Sequence, residues 1–314
     1  MTQEHISVLL NESIDLLDIK PNGVYVDCTL GRAGHSVEIL KRLKAGHLYA
    51  VDQDLEAIQN SEMKLRAVSN NFTILEGNFV YLKALLALKN INLVDGILYD
   101  LGVSSPQFDV GSRGFSYRFD SDLDMRMDLK NNKLTAKDIV NKYDLKGLNH
   151  IFKLYGEEQL SYQIAKKIIE TRVEKPINTT FELVEIIKSA LPQKILKQKK
   201  HPAKKVFQAL RICVNDELEV LKKSLIQALE LLKKDGVLVI ISFHSLEEKI
   251  IKDIFKTKTT DIKDKFLSKL PVEGLIKEKE FKLLTKKPIL PSDDELKINR
   301  RAHSAKLWAI KKVW

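Results

Sequence analysis

Short apolar runs alternate with amphipathic stretches through the first hundred residues of the chain. Each run has the length of a buried strand and is followed directly by an acidic residue. The runs are 24–26, 47–51, 72–75 and 96–99, and the acids after them are Asp27, Asp52, Glu76 and Asp100. Strands that alternate with helical segments predict an α/β fold built on a parallel sheet. Ligands in such folds bind at the carboxyl ends of the strands, so these positions predict a site.

The pattern changes between residues 112 and 207, where apolar residues recur at helical spacing. Thr135 and Thr179 each open a segment that resembles the capped start of a helix. Residues 158–172 carry an apolar stripe made of Leu160, Ile164, Ile168 and Ile169. This part of the chain therefore predicts a purely helical block.

Strand character returns only at residues 236–242, after a long amphipathic run at 215–234. A helical block between two strands of one sheet indicates an inserted domain. We therefore predict a discontinuous α/β core, residues 1–111 and 208–314, with an all-helical insertion at residues 112–207.

The loop after the first strand carries only two glycines, Gly31 and Gly34. A dinucleotide fingerprint needs three, at G-x-G-x-x-G spacing, so that bare backbone and a helix N-terminus meet a pyrophosphate. Asp27 also stands at the strand end, where a carboxylate would repel phosphate and suit an ammonium or a sulfonium. We predict that Asp27 contacts such a ligand. The same loop would also serve as an ordinary turn from strand to helix.

Asp52 follows the glycine loop by about twenty residues, the spacing at which an acid meets a ribose diol in nucleoside-binding α/β folds. We assign Asp52 to the ribose and Asp54 to the N-cap of the helix that begins at Leu55. Phe79, after the third strand, is placed to cover an adenine face, although a role in the core is nearly as plausible. A ribose carboxylate, an apolar base slot and no phosphate cradle together indicate S-adenosylmethionine.

Several motifs make the chain resemble one known family, ribosomal RNA small subunit methyltransferase H, also called MraW. They occur in the family's order over nearly the whole chain, at 5–10, 27–36, 100–107, 113–117, 123–127, 155–158, 201–203 with 207–212, 242–245 and 304–307. The resemblance implies a Rossmann-like class I methyltransferase core with a helical substrate-recognition insertion, and an antiparallel edge formed by 281–284 and 305–313. It implies S-adenosylmethionine-dependent N4-methylation of a cytidine in the decoding region of 16S rRNA.

The resemblance also implies a set of cofactor-binding residues: Ala33, Gly34, His35, Asp52, Phe79, Asp100 and Gln107, to which strand position adds Asp27. Asp100 and Ser105, in the loop after the fourth strand, are the predicted catalytic residues. A carboxylate, hydroxyls and carbonyls next to a proline suit an exocyclic amine, which must be held in line with the methyl group. The chain departs from the family at Ala33, usually glycine, and in its C-terminal motif at His303 and Trp308.

The basic charge of the chain is concentrated in the helical block. The whole chain carries a formal charge of +10, and residues 112–207 hold 20 Lys and Arg against 12 Asp and Glu. Such a balance favours a polyanionic partner. Six lysines between residues 194 and 205 indicate phosphate contacts, or a solvated linker. The predicted RNA contacts are Arg113, Arg126, Lys199, Lys200, Lys204 and Lys205, and Asp124 with Arg126 would equally lock the insertion onto the core.

Composition narrows the class of protein further. In 314 residues, 44% hydrophobic and 30% charged content is typical of a globular chain with an ample core. Cys28 and Cys213 form no short-spaced pair, and no His/Cys/Asp spacing predicts a metal site; His201 and His244 are expected to be structural or phosphate-facing. No run approaches a bilayer span, so we expect a cytoplasmic enzyme, monomer or homodimer, acting on the small ribosomal subunit.

Two other functions share these features. A DNA or other RNA amino-methyltransferase would use the same cofactor site. A non-catalytic RNA-binding assembly factor could keep the pocket without turnover, but the intact Asp100 and Ser-Ser-Pro-Gln sequence at 104–107 argues against it.

Overall fold

The computed structural model describes residues 6–102, 113–198, 200–260 and 279–314. The chain divides into two compact units, which we call the sheet unit (1–102 and 220–314) and the helical unit (103–219). The predicted insertion, 112–207, lies inside the helical unit, whose ends are nine and twelve residues further out. No helix among the described residues is both long and apolar enough to cross a membrane.

The sheet unit is built on a seven-stranded sheet of order β3-β2-β1-β4-β5-β7-β6. Its strands are β1 (Val24–Asp27), β2 (His47–Asp52), β3 (Phe72–Glu76), β4 (Val94–Asp100), β5 (Leu232–Ser242), β6 (Phe281–Leu283) and β7 (Lys306–Lys312). The first five are parallel, and β7 runs antiparallel to both β5 and β6. This strand order is Rossmann-like, and it confirms the predicted fold class and the antiparallel edge that the resemblance implies.

Strand order places the switch point between β1 and β4. From β1 the chain steps outward to β2 and β3, and then returns to β4 on the other side of β1. Asp27 pairs in register with Ala50 of β2 and Leu98 of β4, so Asp27, Asp52 and Asp100 end neighbouring strands at the same edge. We call this the carboxyl edge, and it is where an open α/β sheet binds its ligand.

Two hydrophobic cores form on opposite faces of the sheet because side chains alternate along each strand. Leu238 and Ile240 of β5 belong to one core, and Val237, Val239 and Ile241 to the other. The helices that cover the faces are α1 (Leu10–Leu17), α2 (Gly34–Arg42), α3 (Leu55–Arg66), α4 (Leu82–Ala87), α11 (Glu217–Leu231), α12 (Ser245–Thr259) and α13 (Asp293–Ile298). Short 3₁₀ turns lie at Phe79–Tyr81 and Arg300–Ser304.

The helical unit has a separate core. Its helices are α5 (Ala136–Lys142), α6 (Leu145–Leu154), α7 (Ser161–Glu174), α8 (Thr180–Ser189), α9 (Gln193–Leu196) and α10 (Lys204–Asn215). Thr135 and Thr179 are the N-caps of α5 and α8, each within a reciprocal capping box, as predicted. Met125 is fully buried in this core and Met127 packs against it. The segment 123–127 is thereby fixed to the helices.

Two boundaries differ from the sequence prediction. The amphipathic run at 215–234 forms a single helix, α11, but this begins only at Glu217 and ends at Leu231, because the left-handed Asp216, with φ 49°, separates it from α10 and β5 starts at Leu232. The strand β5 begins at Leu232, four residues before the predicted Gly236, and its pairing with β4 changes register between Val94 and Gly96. Neither a single left-handed residue nor an irregular strand start changes the hydrophobic pattern, so the sequence did not predict them.

Candidate functional site

Asp27, at the end of β1, is 1% exposed, and its carboxylate is hydrogen-bonded to the following loop and to α2. One carboxylate oxygen accepts hydrogen bonds from the amide and hydroxyl of Thr29, at 3.0 and 3.4 Å. The other accepts from the Ser36 hydroxyl at 2.6 Å. The Asp27 carboxylate therefore fixes the start of α2 against the loop. Its predicted contact with a ligand stays a prediction.

Thr29 connects the ends of two strands, a role that the sequence did not indicate. Its hydroxyl accepts a hydrogen bond of 2.7 Å from the Asp100 amide and also lies against Asp27. This contact spans 71 residues of sequence, so no local pattern could have revealed it. It holds the first residues after β1 beside the last residue of β4.

The glycine loop is shaped by two left-handed residues, Gly31 at φ 49° and Ala33 at φ 65°. Ala33 precedes α2 at a position that favours glycine, which gives a physical meaning to the family's usual glycine there. A Cβ at Gly34 would overlap the Ser7 hydroxyl. The loop backbone at Gly34 is therefore closed to any larger residue, whereas a Cβ on Gly31 would meet little.

Asp52, at the end of β2, closes the same loop from the other side. Its carboxylate accepts hydrogen bonds of 2.9 Å from the amides of Gly31 and Asp54. Burial raises the pKa of Asp52 to about 6, and the nearby Asp54 and Asp27 contribute in the same direction. Asp54 caps α3 by accepting from the Glu56 amide, as predicted.

Phe79 packs in the sheet unit next to β4. Its ring meets Tyr99 edge-on, with centroids 5.6 Å apart, and its carbonyl accepts a hydrogen bond from the Ser224 hydroxyl. Phe79 is only partly buried. It can therefore pack against the core and also cover a base, so both alternatives stay open. Beside it, the Asn78 amide donates to Gln53 at 2.9 Å, which joins the loops after β2 and β3.

Asp100, at the end of β4, holds the most unusual carboxyl group of the carboxyl edge. Its Oδ1 is buried without a hydrogen-bond partner among the described residues, and its side chain is 24% exposed. Burial raises the pKa of Asp100 to about 8, and Asp27 adds to the effect, whereas Arg301 opposes it. A buried oxygen without a partner is costly, which indicates that a ligand group belongs there.

His35 lies beside Asp100 on the first turn of α2. Its Nε2 is 3.1 Å from the Val8 carbonyl, and its Nδ1 is 3.8 Å from Asp100 Oδ2. Burial lowers the pKa of His35, so the ring is neutral and donates through Nε2. The sequence placed His35 at the cofactor, but it did not indicate this pairing of ring and carboxyl.

The carboxyl edge thus brings together Asp27, Asp52, Asp100 and His35, and Asp27 acts electrostatically on each of the other three. Ser105 and Gln107 lie outside the described residues. The donor set suits S-adenosylmethionine, because carboxylates attract its sulfonium and ammonium and Asp52 can accept from its ribose. Asp100 Oδ1, which has no hydrogen-bond partner among the described residues, is the observation that tests this fit, and it agrees.

The predicted RNA contacts lie in different surroundings within the helical unit. Arg113 donates to the carbonyls of Arg126 and Met127, and Arg126 forms a two-pronged ion pair with Asp124 at 2.7–2.8 Å. These bonds all lie within the helical unit and stabilise the 123–127 segment itself, so RNA contact and a lock onto the core both stay predictions. Lys205 donates to the Glu157 carbonyl, Lys200 and Lys204 are exposed, and Lys199 lies outside the described residues.

His244 and His201 have structural contacts, as expected. His244 is the N-cap of α12, and it forms a capping box with Glu247. The ring of His201 stacks on Tyr117 with centroids 4.3 Å apart.

Comparison with known proteins places the chain in a family. The family model described as the MraW methylase family matches residues 2–313. The chain belongs to the MraW methylase family. It is therefore a methyltransferase, and its methyl donor is S-adenosylmethionine.

Curated relatives of the MraW methylase family match over their full lengths. A protein of Mesoplasma florum named ribosomal RNA small subunit methyltransferase H is 61% identical over 310 residues, which is 99% of each chain. One of Streptococcus dysgalactiae with the same name is 51% identical over 318 residues, covering 100% of this chain and 99% of its own. A solved structure described as an rRNA methylase from Streptococcus thermophilus is 10% identical with a TM-score of 0.44, covering 99% and 100%.

Proposed function

We propose that this protein methylates N4 of a cytidine in the decoding region of 16S rRNA, as part of the small ribosomal subunit. The observation that carries the proposal is identity of 50–61% over the full length of relatives named ribosomal RNA small subunit methyltransferase H. The excess of basic residues in the helical unit agrees with a polyanionic substrate. The reaction takes place in the cytoplasm, where ribosomal subunits are assembled.

Different residues of the carboxyl edge bind different parts of S-adenosylmethionine. Asp52 accepts hydrogen bonds from the ribose, and Phe79 with the Asn78–Gln53 pair borders the base. The backbone of 33–35 lies at the start of α2, and we assign it to close contact with the donor. Bound in this way, S-adenosylmethionine supplies a methyl group on a sulfonium that is already electrophilic.

Asp100 positions a cationic group by its charge. In the free protein the raised pKa of Asp100 keeps the carboxyl largely protonated at neutral pH, with His35 beside it as a neutral acceptor at Nδ1. An ammonium next to Oδ1 would favour the ionised form and satisfy the oxygen that has no partner. We assign this ammonium to the methionine part of the donor.

The exocyclic amine of cytosine is a weak nucleophile because its lone pair is delocalised into the ring. The protein must hold N4 in line with the methyl group and accept an N–H hydrogen bond, which favours tetrahedral nitrogen. We assign that acceptor role to Ser105 and neighbouring carbonyls, with Asp100 as a second acceptor. Once the nitrogen is methylated and cationic, it loses its proton readily, so no tuned base is required.

The test is incubation of purified protein with small ribosomal subunits and isotopically labelled S-adenosylmethionine, followed by mass spectrometry of the rRNA nucleosides. We expect labelled N4-methylcytidine in one fragment of the decoding region. Label at another nucleoside, or on DNA offered in competition, would replace the proposal with a different amino-methyltransferase. Binding of subunits and donor without any label transfer would indicate an assembly factor.

A further inference from the structure

The helical unit contains a cavity of its own, of about 540 Å³, lined by Tyr117, Arg118, Lys200, His201 and Lys204. This volume lies within the range of roughly 300–1,000 Å³ that is common for ligand sites. All five residues belong to the helical unit, and none of them is part of the carboxyl edge. The cavity combines three cations with two stacked aromatic rings.

The three cations are available to a ligand. Arg118, Lys200 and Lys204 are exposed, and none forms an ion pair within the described part of the chain. Lysines elsewhere in the same unit, such as Lys175 and Lys188, pair with carboxylates of neighbouring residues. Lys204 is the first residue of α10, a helix of 12 residues, and the positive end of the helix dipole adds to its charge.

The aromatic floor of the cavity is rigid. Tyr117 stacks on His201 at an interplanar angle of 10°, and it meets Phe207 edge-on with centroids 5.8 Å apart. The Ala203 amide donates to His201 Nδ1, so the neutral ring carries its proton on Nε2. His201 therefore offers a donor from a ring that cannot rotate freely.

Tyr117 and His201 belong to two segments that the sequence matched to the family, 113–117 and 201–203. Tyr117 was given no task there, and His201 was expected to be structural or phosphate-facing. They come from opposite ends of the helical unit and meet only through folding. Exposed, unpaired cations around a fixed aromatic pair form an arrangement that suits a nucleotide with its phosphate.

We propose that this cavity binds a backbone phosphodiester of the RNA substrate, at a nucleotide other than the one that is methylated. Arg118, Lys200 and Lys204 hold the phosphate oxygens, and the Tyr117–His201 pair supports the adjoining sugar and base. The inference rests on the proposed function only in taking RNA as the polyanion. It assigns the contact to five named residues rather than to the lysine run as a whole.

The first test compares two triple variants of the full-length protein that remove the same charge. One carries Arg118→Gln, Lys200→Gln and Lys204→Gln, and the other carries Lys137→Gln, Lys146→Gln and Lys153→Gln, at exposed positions of the same unit. Binding of single-stranded oligocytidylate and of small ribosomal subunits is measured against salt concentration. We expect the cavity variant to bind at least about tenfold more weakly, with a log–log salt slope lower by about 2, and the control to change little.

Equal losses in both variants would overturn the proposal, because only the overall charge of the unit would then matter. The methylation assay separates this result from a failure of the proposed function. If the wild type methylates subunits, the cavity variant should show a raised KM for subunits with kcat kept within about twofold. If the wild type does not methylate them, the binding comparison still decides the phosphate site.

The second test follows the ring nitrogens of His201 by NMR. Burial and the nearby Lys188 and Arg118 lower the pKa of His201 in the free protein, so a phosphodiester placed among these cations should raise it again. We expect oligocytidylate to produce this shift at far lower concentration than inorganic phosphate or cytidine monophosphate. Tighter binding of the monophosphate would assign the cavity to free nucleotides, and no shift with RNA would exclude the site.

Discussion

At the scale of single residues, the charge state of the carboxyl edge is set by burial. Asp52 and Asp100 lie near Asp27, and each binds its proton more tightly than an ordinary aspartate. A cation that binds beside such a carboxyl lowers its pKa, so that the group releases its proton and carries the negative charge. The free energy of unfolding of the ligand-free protein at neutral pH is therefore lower than it would be with ordinary carboxyl groups, and the site is preformed for its ligand.

Asp100→Asn should stabilise the protein without ligand, and increasingly so as pH rises. The pKa of Asp100 is raised from 3.8 to about 8, so its contribution to stability is fully present below about pH 4 and is lost as pH rises through 8. Between about pH 5 and about pH 8, the variant should gain roughly 2 kcal/mol on the wild type, about half the formal value because the carboxyl keeps some contact with water. Urea denaturation at both pH values measures this.

Asp95→Asn provides a control of opposite sign. Asp95 is bound by Lys233 and Lys20, and the pKa of this carboxyl is lowered. Its contribution is present above the ordinary pKa and is lost on acidification, so this variant should be less stable than wild type at neutral pH. If the wild type were more stable in urea than Asp100→Asn at about pH 8, Arg301 would be stabilising the ionised form of Asp100.

Asp52→Asn should weaken S-adenosylmethionine binding by about tenfold or more, since hydrogen bonds to a charged acceptor are worth roughly 1.5–3 kcal/mol. Asp54→Asn is the matched control, because it removes the same charge two residues away and asparagine is an equally good N-cap. Calorimetry of both variants decides the assignment. Wild-type affinity in a folded Asp52→Asn protein would remove this residue from the ribose.

The sequence identified residues whose role is set locally and missed those set by distant contacts. Asp54 was recognisable as a cap because the helix it caps follows at once. Thr29 and the ring of His35 were not, because their partners, Asp100 in both cases, lie 71 and 65 residues away. The role of Arg126 was ambiguous in sequence, since only the fold shows that its guanidinium pairs with the Asp124 carboxylate.

At the scale of elements, the strands were predictable and the helix ends less so. Each of the four N-terminal apolar runs forms a strand within two residues of the expected bounds, because a parallel strand buried on both faces must be continuously apolar. The division between α10 and α11 depends on one left-handed residue, Asp216, and leaves the amphipathic pattern unchanged. Capping residues gave the best boundaries.

Thr179→Ala should cost the helical unit about 1 kcal/mol of stability, the usual value of an N-cap side chain. Thr179 accepts from the Glu182 amide, and Glu182 accepts in return from the amides of Thr179 and Asn178. Thr171→Ala is the control, because its hydroxyl only donates to the Lys167 carbonyl within α7. Chemical denaturation of both variants tests this, and equal losses would mean that the capping box adds nothing.

At the scale of the whole molecule, two units with separate cores share one chain. Residues 1–102 and 220–314 form the sheet unit, and residues 103–219 form the helical unit. Apart from Gln107, the proposed donor site draws on the sheet unit, whereas the proposed phosphate site draws only on the helical unit. Each of the two ligands should therefore stabilise a different unit of the protein.

Saturating S-adenosylmethionine should slow hydrogen exchange in the sheet unit and leave the helical unit nearly unchanged. A ligand at a hundredfold excess over its Kd stabilises the state that binds it by about 2.7 kcal/mol, so amides of β1, β2 and β4 should gain most. Mass spectrometry of peptides from α6 to α8 supplies the internal reference. Equal protection of those helices would show that the two units unfold together.

The strand order also determines when a newly made chain becomes an enzyme. Leu9 donates its amide to Glu295, and Asn299 donates to the Ile6 carbonyl, so the first and last parts of the sheet unit hold each other. During translation the whole helical unit emerges before β5, and β7 is the last of the seven strands to emerge. We expect the nascent chain to fold its helical unit first and to bind its methyl donor only once β7 has joined the sheet.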